Sequence, residues 1–269
     1  MTVDRVKIMG ILNVTPDSFS DGGNFASTTA AIVQAEQLIH DGADILDVGG
    51  ESTRPFAEPV AAEEELRRVI PVIEAVRKKH RIPISIDTTK AVVAEQALRA
   101  GADIINDISA LRKDPEMLSL VRNTAVPVII MHMQGTPADM QLRPVYTNVI
   151  EEILAFFTER ITWLTENGIN RNRLIIDPGI GFGKTQQHNL SIFKHLDKFV
   201  TLGLPVLLGH SRKRFLGEIT GIQLETARDL ATAVASALCA GKNISIIRVH
   251  NVAATRQALL IAEAIDNAS

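Results

Sequence analysis

Eight short apolar, β-branched runs recur along the chain, and they constrain the fold more than any other feature. They are Val6 to Leu12, Asp44 to Val48, Ile82 to Ile86, Asp103 to Ile108, Val126 to Met131, Arg173 to Ile176, Leu204 to Leu208 and Ile244 to Val249. A strand with one wet face alternates apolar and polar residues. These runs do not, which predicts parallel strands covered on both faces. Segments of helical period lie between them: Ile150, Ile153, Leu154, Phe157, Ile161 and Leu164 in one, and Leu66, Val69, Ile70, Ile73 and Val76 in another. Gly42, Gly101, Gly168, Gly203 and Gly241 each stand just before a strand, where a helix ends in the left-handed conformation that glycine accepts. Eight alternations predict an α/β chain folded as a (β/α)8 barrel, the TIM-barrel class. The rival, an open doubly wound sheet, would carry a Gly-rich loop after its first strand, but Asn13-Val14-Thr15-Pro16-Asp17 stands there. No linker or low-complexity tract interrupts residues 1–269, so one domain is expected; the polar stretch Gln134 to Tyr146 reads as a long loop after strand five.

A chain of 269 residues, 46% of them hydrophobic, can bury a large core. Its formal charge of -3 comes from interspersed residues without a basic stripe, so neither nucleic acid nor anionic lipid is an expected partner. The start, Met1-Thr2-Val3-Asp4-Arg5-Val6, lacks the basic-then-apolar order of a signal peptide, and no apolar run has the length of a membrane span. A cytoplasmic protein is expected. The single cysteine, Cys239, lies in an apolar helical stretch and reads as a small core residue.

In a barrel of this class, function gathers at the C-terminal ends of the strands. The residues closing the eight runs are polar: Asn13; Asp47 with Glu51; Asp87; Asn106 with Asp107; His132; Asp177; His210 with Ser211; and Arg248 with His250. Any one of them alone could be a turn or cap residue, but eight in succession outline a site. Asp87, Asn106 and Asp177 offer oxygen acceptors to the N–H groups of a flat, nitrogen-rich ring. The cations of Ser211-Arg212-Lys213-Arg214 and Arg248 fall on strands seven and eight, where such barrels bind phosphate. A phosphorylated heterocycle suits both halves. Gly179-Ile180-Gly181-Phe182-Gly183-Lys184-Thr185 ends like a phosphate loop, yet Pro178 occupies the place of that motif's first Gly. The seven histidines include no HxH or HExxH pair, which argues against a hydrolytic zinc site. Of these, His132, His210 and His250 end strands, while His40, His80, His188 and His195 read as surface residues.

The segments Met9-Gly10-Ile11-Leu12-Asn13-Val14-Thr15-Pro16-Asp17-Ser18-Phe19-Ser20-Asp21 and Asp47-Val48-Gly49-Gly50-Glu51-Ser52-Thr53-Arg54-Pro55 resemble the two signature segments of the dihydropteroate synthase family. The resemblance continues through Ser85-Ile86-Asp87-Thr88, Asn106-Asp107, Met131-His132-Met133-Gln134-Gly135, Asp177-Pro178-Gly179, Ser211-Arg212-Lys213 and Arg248-Val249-His250, in order over essentially the whole chain. It implies condensation of 6-hydroxymethyl-7,8-dihydropterin pyrophosphate with p-aminobenzoate, on a barrel that is usually a homodimer. By the same resemblance Asp87, Asn106, Met131, Asp177 and Lys213 would hold the pterin. Asn13, Arg248 and His250 would hold the pyrophosphate, with Asn13 a Mg²⁺ contact and Asp21 a helper. Phe19, Thr53, Arg54, Pro55 and Phe182 would form the p-aminobenzoate side, and Asp87, Asp177, Lys213, Arg248 and His250 would carry catalysis. Two other readings share the pterin acceptors: a barrel passing a methyl group from a folate to a corrinoid protein, and a pterin-binding protein without activity. Neither needs the leaving-group cations. Two positions depart from the family pattern: Arg214 stands where many relatives have Ser, and Phe56 where Gly is common. Arg214 could reach the benzoate carboxylate or point to solvent; Phe56 could cover the aryl substrate or anchor its loop.

Overall fold

The computed structural model describes residues 5–15, 23–53, 58–136 and 139–268. All eight expected strands form: β1 (Lys7–Asn13), β2 (Ile45–Gly49), β3 (Ile84–Asp87), β4 (Ile104–Asp107), β5 (Val128–Met131), β6 (Leu174–Asp177), β7 (Leu207–Leu208) and β8 (Ile246–Val249). They are parallel and ordered β6-β5-β4-β3-β2-β1-β8-β7, and a parallel bridge between Ile176 and Val206 joins the two ends into a barrel. Helices α1 (Gly23–His40), α2 (Ala62–Lys79), α3 (Ala91–Ala100), α4 (Pro115–Arg122), α5 (Val149–Glu166), α6 (Gln186–Lys194), α7 (Leu196–Val200), α8 (Arg214–Thr220), α9 (Asp229–Ala237) and α10 (Val252–Asp266) fill the crossovers.

Four strands, β3, β5, β7 and β8, begin two residues or more later than their apolar runs, and in the first three proline is the reason. Pro83, Pro127 and Pro205 have no N–H to give to the ladder. Their carbonyls still serve it, accepting from Leu46, Ile105 and Ile176. Of the five glycines expected to end helices, Gly42, Gly101, Gly168 and Gly203 are left-handed. Gly241 is not: it lies in a short 3-10 turn, and Asn243 takes the left-handed position with φ 56°. Asparagine tolerates that conformation because its short side chain can bond locally.

The base of the barrel repeats one device. The tetrapeptide Gly-Ala-Asp-Ile occurs at 42–45 and again at 101–104, each time entering a strand. Asp44 accepts from the Ile8 N–H and from Arg256, and Asp103 accepts from the Ile84 N–H and from Arg77. The same arginines also donate to the carbonyls of Gly42 and Gly101. Each Asp thus ties its own strand entry to the preceding strand and to a helix.

The two-residue period of the strands divides their side chains. Ile8, Leu46, Ile86, Ile105, Ile130, Ile176, Leu208 and Ile247 join the core under the helices, whereas Met9, Ile45, Ile104, Ile129, Ile175, Leu207 and Ile246 form a separate cluster inside the barrel. One period further along, the inward positions are Ile11, Asp47, Asn106, Met131, Asp177, Gly209 and Arg248. Apolar packing gives way to polar groups within a single step.

Candidate active site

The inward polar groups bond to one another across the mouth. Asp47 is fully buried; it accepts from Asn106 Nδ2 at 3.2 Å and from Arg248 Nε at 2.5 Å. Arg248 also donates from Nη2 to Asp87 at 2.7 Å. This arrangement turns the Asn106 amide NH₂ toward Asp47 and leaves its carbonyl oxygen as the free acceptor. Two carboxylates share one guanidinium, and burial of Asp87 together with the nearby Asp47 raises its pKa, against the attraction of Arg248. Arg248 answers in kind: burial alone would discharge it, but Asp47 and Asp87 raise its pKa above the ordinary arginine value.

Asp177 closes β6 and accepts from the Gly179 N–H at 2.8 Å. Its burial raises the pKa to about 6 despite that bond and despite Lys213. Lys213, on the other side, is lowered to about 8 by burial and by Arg248. Its ammonium lies 4.0 Å from the centre of the Phe182 ring. Phe182 packs with Ile108, Met131 and Met140, an apolar wall beside the acceptors. Gly209 leaves space: a Cβ there would come within 3.5 Å of Asp177 Oδ2 and 3.9 Å of Arg248 Cδ. Gly49 does the same between Asp87 and Asn13, where a Cβ would lie 3.4 Å from the Asp87 Cβ and 3.8 Å from Asn13 Oδ1.

Above this floor opens a cavity of about 1050 Å³ lined by Asn13, Thr53, Lys213, Arg248 and His250, among others. The three residues Ser211, Arg212 and Lys213 diverge because Arg212 is left-handed, φ 59°. Ser211 turns to His250, with Oγ 2.9 Å from Nδ1, and Arg212 is committed to Asp229 at 2.6 Å. Lys213 is left facing the mouth. Acceptors below and cations at the rim can hold a ring with several N–H groups and an anionic tail.

A model of the family described as "Pterin binding enzyme" matches residues 9–250. Dihydropteroate synthase of Haemophilus influenzae is 46% identical over 262 residues, covering 97% of this chain and 94% of that one. Dihydropteroate synthase of Xanthomonas albilineans with 4-aminobenzoic acid superposes with a TM-score of 0.94 at 46% identity, covering 100% of this chain and 96% of the other. The same organism's enzyme in complex with 7,8-dihydropteroate gives 0.90 at 44% identity, covering 100% and 97%.

This chain belongs to the dihydropteroate synthase family of pterin-binding enzymes. It is therefore a transferase. Of the residues that the family resemblance assigns, Asp87, Asn106, Met131, Asp177, Lys213 and Phe182 meet at the floor, and Asn13, Thr53, Arg248 and His250 line the cavity. Phe19, Asp21, Arg54, Pro55 and Phe56 lie outside the described residues. Arg214 is among the residues lining the cavity, with its side chain 84% exposed and paired with Glu218 at 2.7 Å.

Three groups emerge that the sequence reading gave no role. Asp47 stood in the ring of strand-closing residues, but only the closed barrel shows it joining Asn106 to Arg248. His132 and Lys184 form a buried pair, with Nζ 3.0 Å from Nδ1. Lys184 also donates to the Phe182 carbonyl, and burial lowers its pKa to about 7. Burial and Lys184 also push His132 far below the usual histidine range. The glycines before it serve close packing, because a Cβ on Gly179 would lie 1.9 Å from the His132 carbonyl oxygen. The segment that ends like a phosphate loop is thus a latch against β5. His210, fully buried against Ser236 and Thr232 of α9, is a packing residue.

Proposed function

We propose that this chain joins 6-hydroxymethyl-7,8-dihydropterin pyrophosphate to p-aminobenzoate, giving 7,8-dihydropteroate and pyrophosphate, and that one domain over residues 1–269 does so. The observation carrying this reading is the meeting of buried acceptors (Asp47, Asp87, Asn106, Asp177) with Lys213 and Arg248 at one barrel mouth. A methyl-transferring barrel would use the acceptors but has no need of a rim of cations around an anionic leaving group.

In the reaction the bond between the pterin methylene carbon and the pyrophosphate oxygen breaks, and its electron pair leaves with the pyrophosphate. Positive charge then spreads into the pterin, where Asp87 and Asp177 stabilise it, while Arg248 and His250 take the charge developing on the leaving group. The arylamine nitrogen of p-aminobenzoate forms the new C–N bond and afterwards loses its proton. A neutral arylamine needs no strong base, consistent with the way Ser211 and His250 are engaged with each other. Thr53 lines the cavity, and in this reading it belongs to the p-aminobenzoate side. Its neighbours Arg54 and Pro55, with Phe19, complete that side in this proposal.

A magnesium ion fits the residues present. No group of three or more His, Cys, Asp or Glu that could hold one exists among the described residues. Mg²⁺ at a phosphate site, however, takes one or two protein oxygens and keeps its other positions for phosphate and water. Asn13 supplies such an oxygen at the rim, and the ion would add positive charge against the leaving pyrophosphate. Lys213→Ala should raise the KM for the pterin substrate at least about tenfold, since a charge-assisted hydrogen bond is lost. Near-normal steady-state kinetics in both Lys213→Ala and Asp177→Asn would contradict the assignment.

A homodimer is the second part of the proposal. Leu230, Val234 and Leu238 recur at intervals of four along α9 and just past its end, 74%, 52% and 71% exposed; Leu260, Ile261 and Ile265 stand exposed on the adjacent α10. Sedimentation should give a dimer at micromolar concentration and a folded monomer for Leu230→Glu with Val234→Glu; an unchanged mass in the variant would remove this surface from the proposal. No helix among the described residues is long and apolar enough to cross a membrane.

A further inference from the structure

We propose that Ser211 is a positioning residue that fixes the proton of His250 on Nε2, so that the ring presents a neutral N–H donor to the pyrophosphate; the donor role rests on the clamp proposed above. The two residues make a closed pair. The His250 backbone N–H donates to Ser211 Oγ at 3.1 Å, and the same oxygen lies 2.9 Å from His250 Nδ1.

A serine hydroxyl has one hydrogen and two lone pairs. The backbone N–H can only donate, so it occupies a lone pair of Oγ. If Nδ1 also carried a proton, Oγ would accept twice and its own hydrogen would be left without a partner in this pair. Ser211 is buried, with 6% exposure, and a stranded donor there is unfavourable. If Nδ1 is bare, the hydroxyl hydrogen closes onto it and every group in the pair is satisfied. The proton of the neutral ring then sits on Nε2, since the bond made by one ring nitrogen sets the state of the other.

The surrounding charges favour the neutral ring. Arg212, Arg248 and Lys213 oppose an imidazolium, and with burial as the largest cause the pKa is lowered to about 3. Asp229, the one acid acting the other way, already accepts twice from Arg212 and once from Asn251. His250 therefore gives the leaving group a directed hydrogen bond and keeps its proton throughout. Arg248, Lys213 and any bound cation supply the charge, while His250 supplies direction.

Nitrogen-15 NMR of the histidine rings in the ligand-free full chain at neutral pH tests this, with the His250 signals assigned by their loss in His250→Gln. The expected spectrum has Nε2 protonated and Nδ1 bare; Ser211→Thr should retain it and Ser211→Ala should lose the single tautomer. Titration with inorganic pyrophosphate should show Ser211→Thr binding like the wild type. Ser211→Ala should bind about tenfold more weakly and show kcat reduced with the KM for p-aminobenzoate unchanged. An imidazolium or an Nδ1–H ring in the wild type would overturn the proposal, as would an unchanged tautomer in Ser211→Ala. Undiminished pyrophosphate binding by His250→Gln, with the expected tautomer in place, would instead refute the clamp and the donor role that depends on it.

Discussion

Arg248 and Asp177 show how the site sets its own charges. Arg248 draws on two acids 201 and 161 residues away in sequence, and neither distance is visible to a reading of motifs. Strand-closing polarity made Asp87, Asn106, Asp177, Arg248 and His250 legible. Asp47 was named in that ring, but a bond to Asn106 depends on barrel closure and no local pattern encodes it. Asp177 carries a consequence for stability. Its folded pKa of about 6 lies above the ordinary 3.8, so between these values the folded chain binds more protons than the unfolded one. Stability from this group is thus greatest below the unfolded value and falls as pH rises toward the folded one. Asp177→Asn should therefore make the ligand-free protein more stable by about 1 to 2 kcal/mol at pH 8, after allowing for the lost attraction to Lys213. The gain should shrink below pH 5, while affinity for the pterin falls. Urea unfolding at both pH values measures it, and equal destabilisation at both would contradict the assigned protonation.

Secondary structure was largely readable from period and punctuation, and the exceptions have local causes. Proline moved three strand starts, and Asn243 took the turn expected of Gly241. The acidic start of α2 hid a buried group. Acids in a first helical turn normally face water and the helix dipole. Here Glu64 pairs with Arg67 and Arg68, but Glu65 is fully buried and accepts from Lys90 at 2.5 Å. Lys90 also donates to Glu51 at 2.6 Å, and Glu51 takes the Val60 N–H at 3.0 Å. One ammonium thereby ties both ends of the connection from β2 to α2, which carries Thr53, to the start of α3. Removing it strands Glu65 without a counter-charge, so Lys90→Met should cost about 3 to 5 kcal/mol. Lys90→Met with Glu65→Leu should recover a good part of this. A loss below about 1 kcal/mol in the single variant by denaturant unfolding would show that the ion pair does not anchor the connection.

At the scale of the whole molecule, closure of eight parallel strands brings the sequence's scattered polar residues to one mouth. The alternation of strand and helix was enough to specify that closure, because parallel strands buried on both faces admit few architectures. Which residues then touch was not specified: the Lys184 latch, the Ser211–His250 pair and the shared guanidinium all join distant segments. Together these contacts bring buried acceptors and cations to one mouth, and that meeting is the central claim. It predicts that the pterin pyrophosphate surrenders its leaving group inside this site and that the arylamine captures what remains. The direct measurement is pyrophosphate release from 6-hydroxymethyl-7,8-dihydropterin pyrophosphate, followed with and without p-aminobenzoate. Release matched mole for mole by 7,8-dihydropteroate when p-aminobenzoate is present is the predicted result, and no release under either condition would contradict the account.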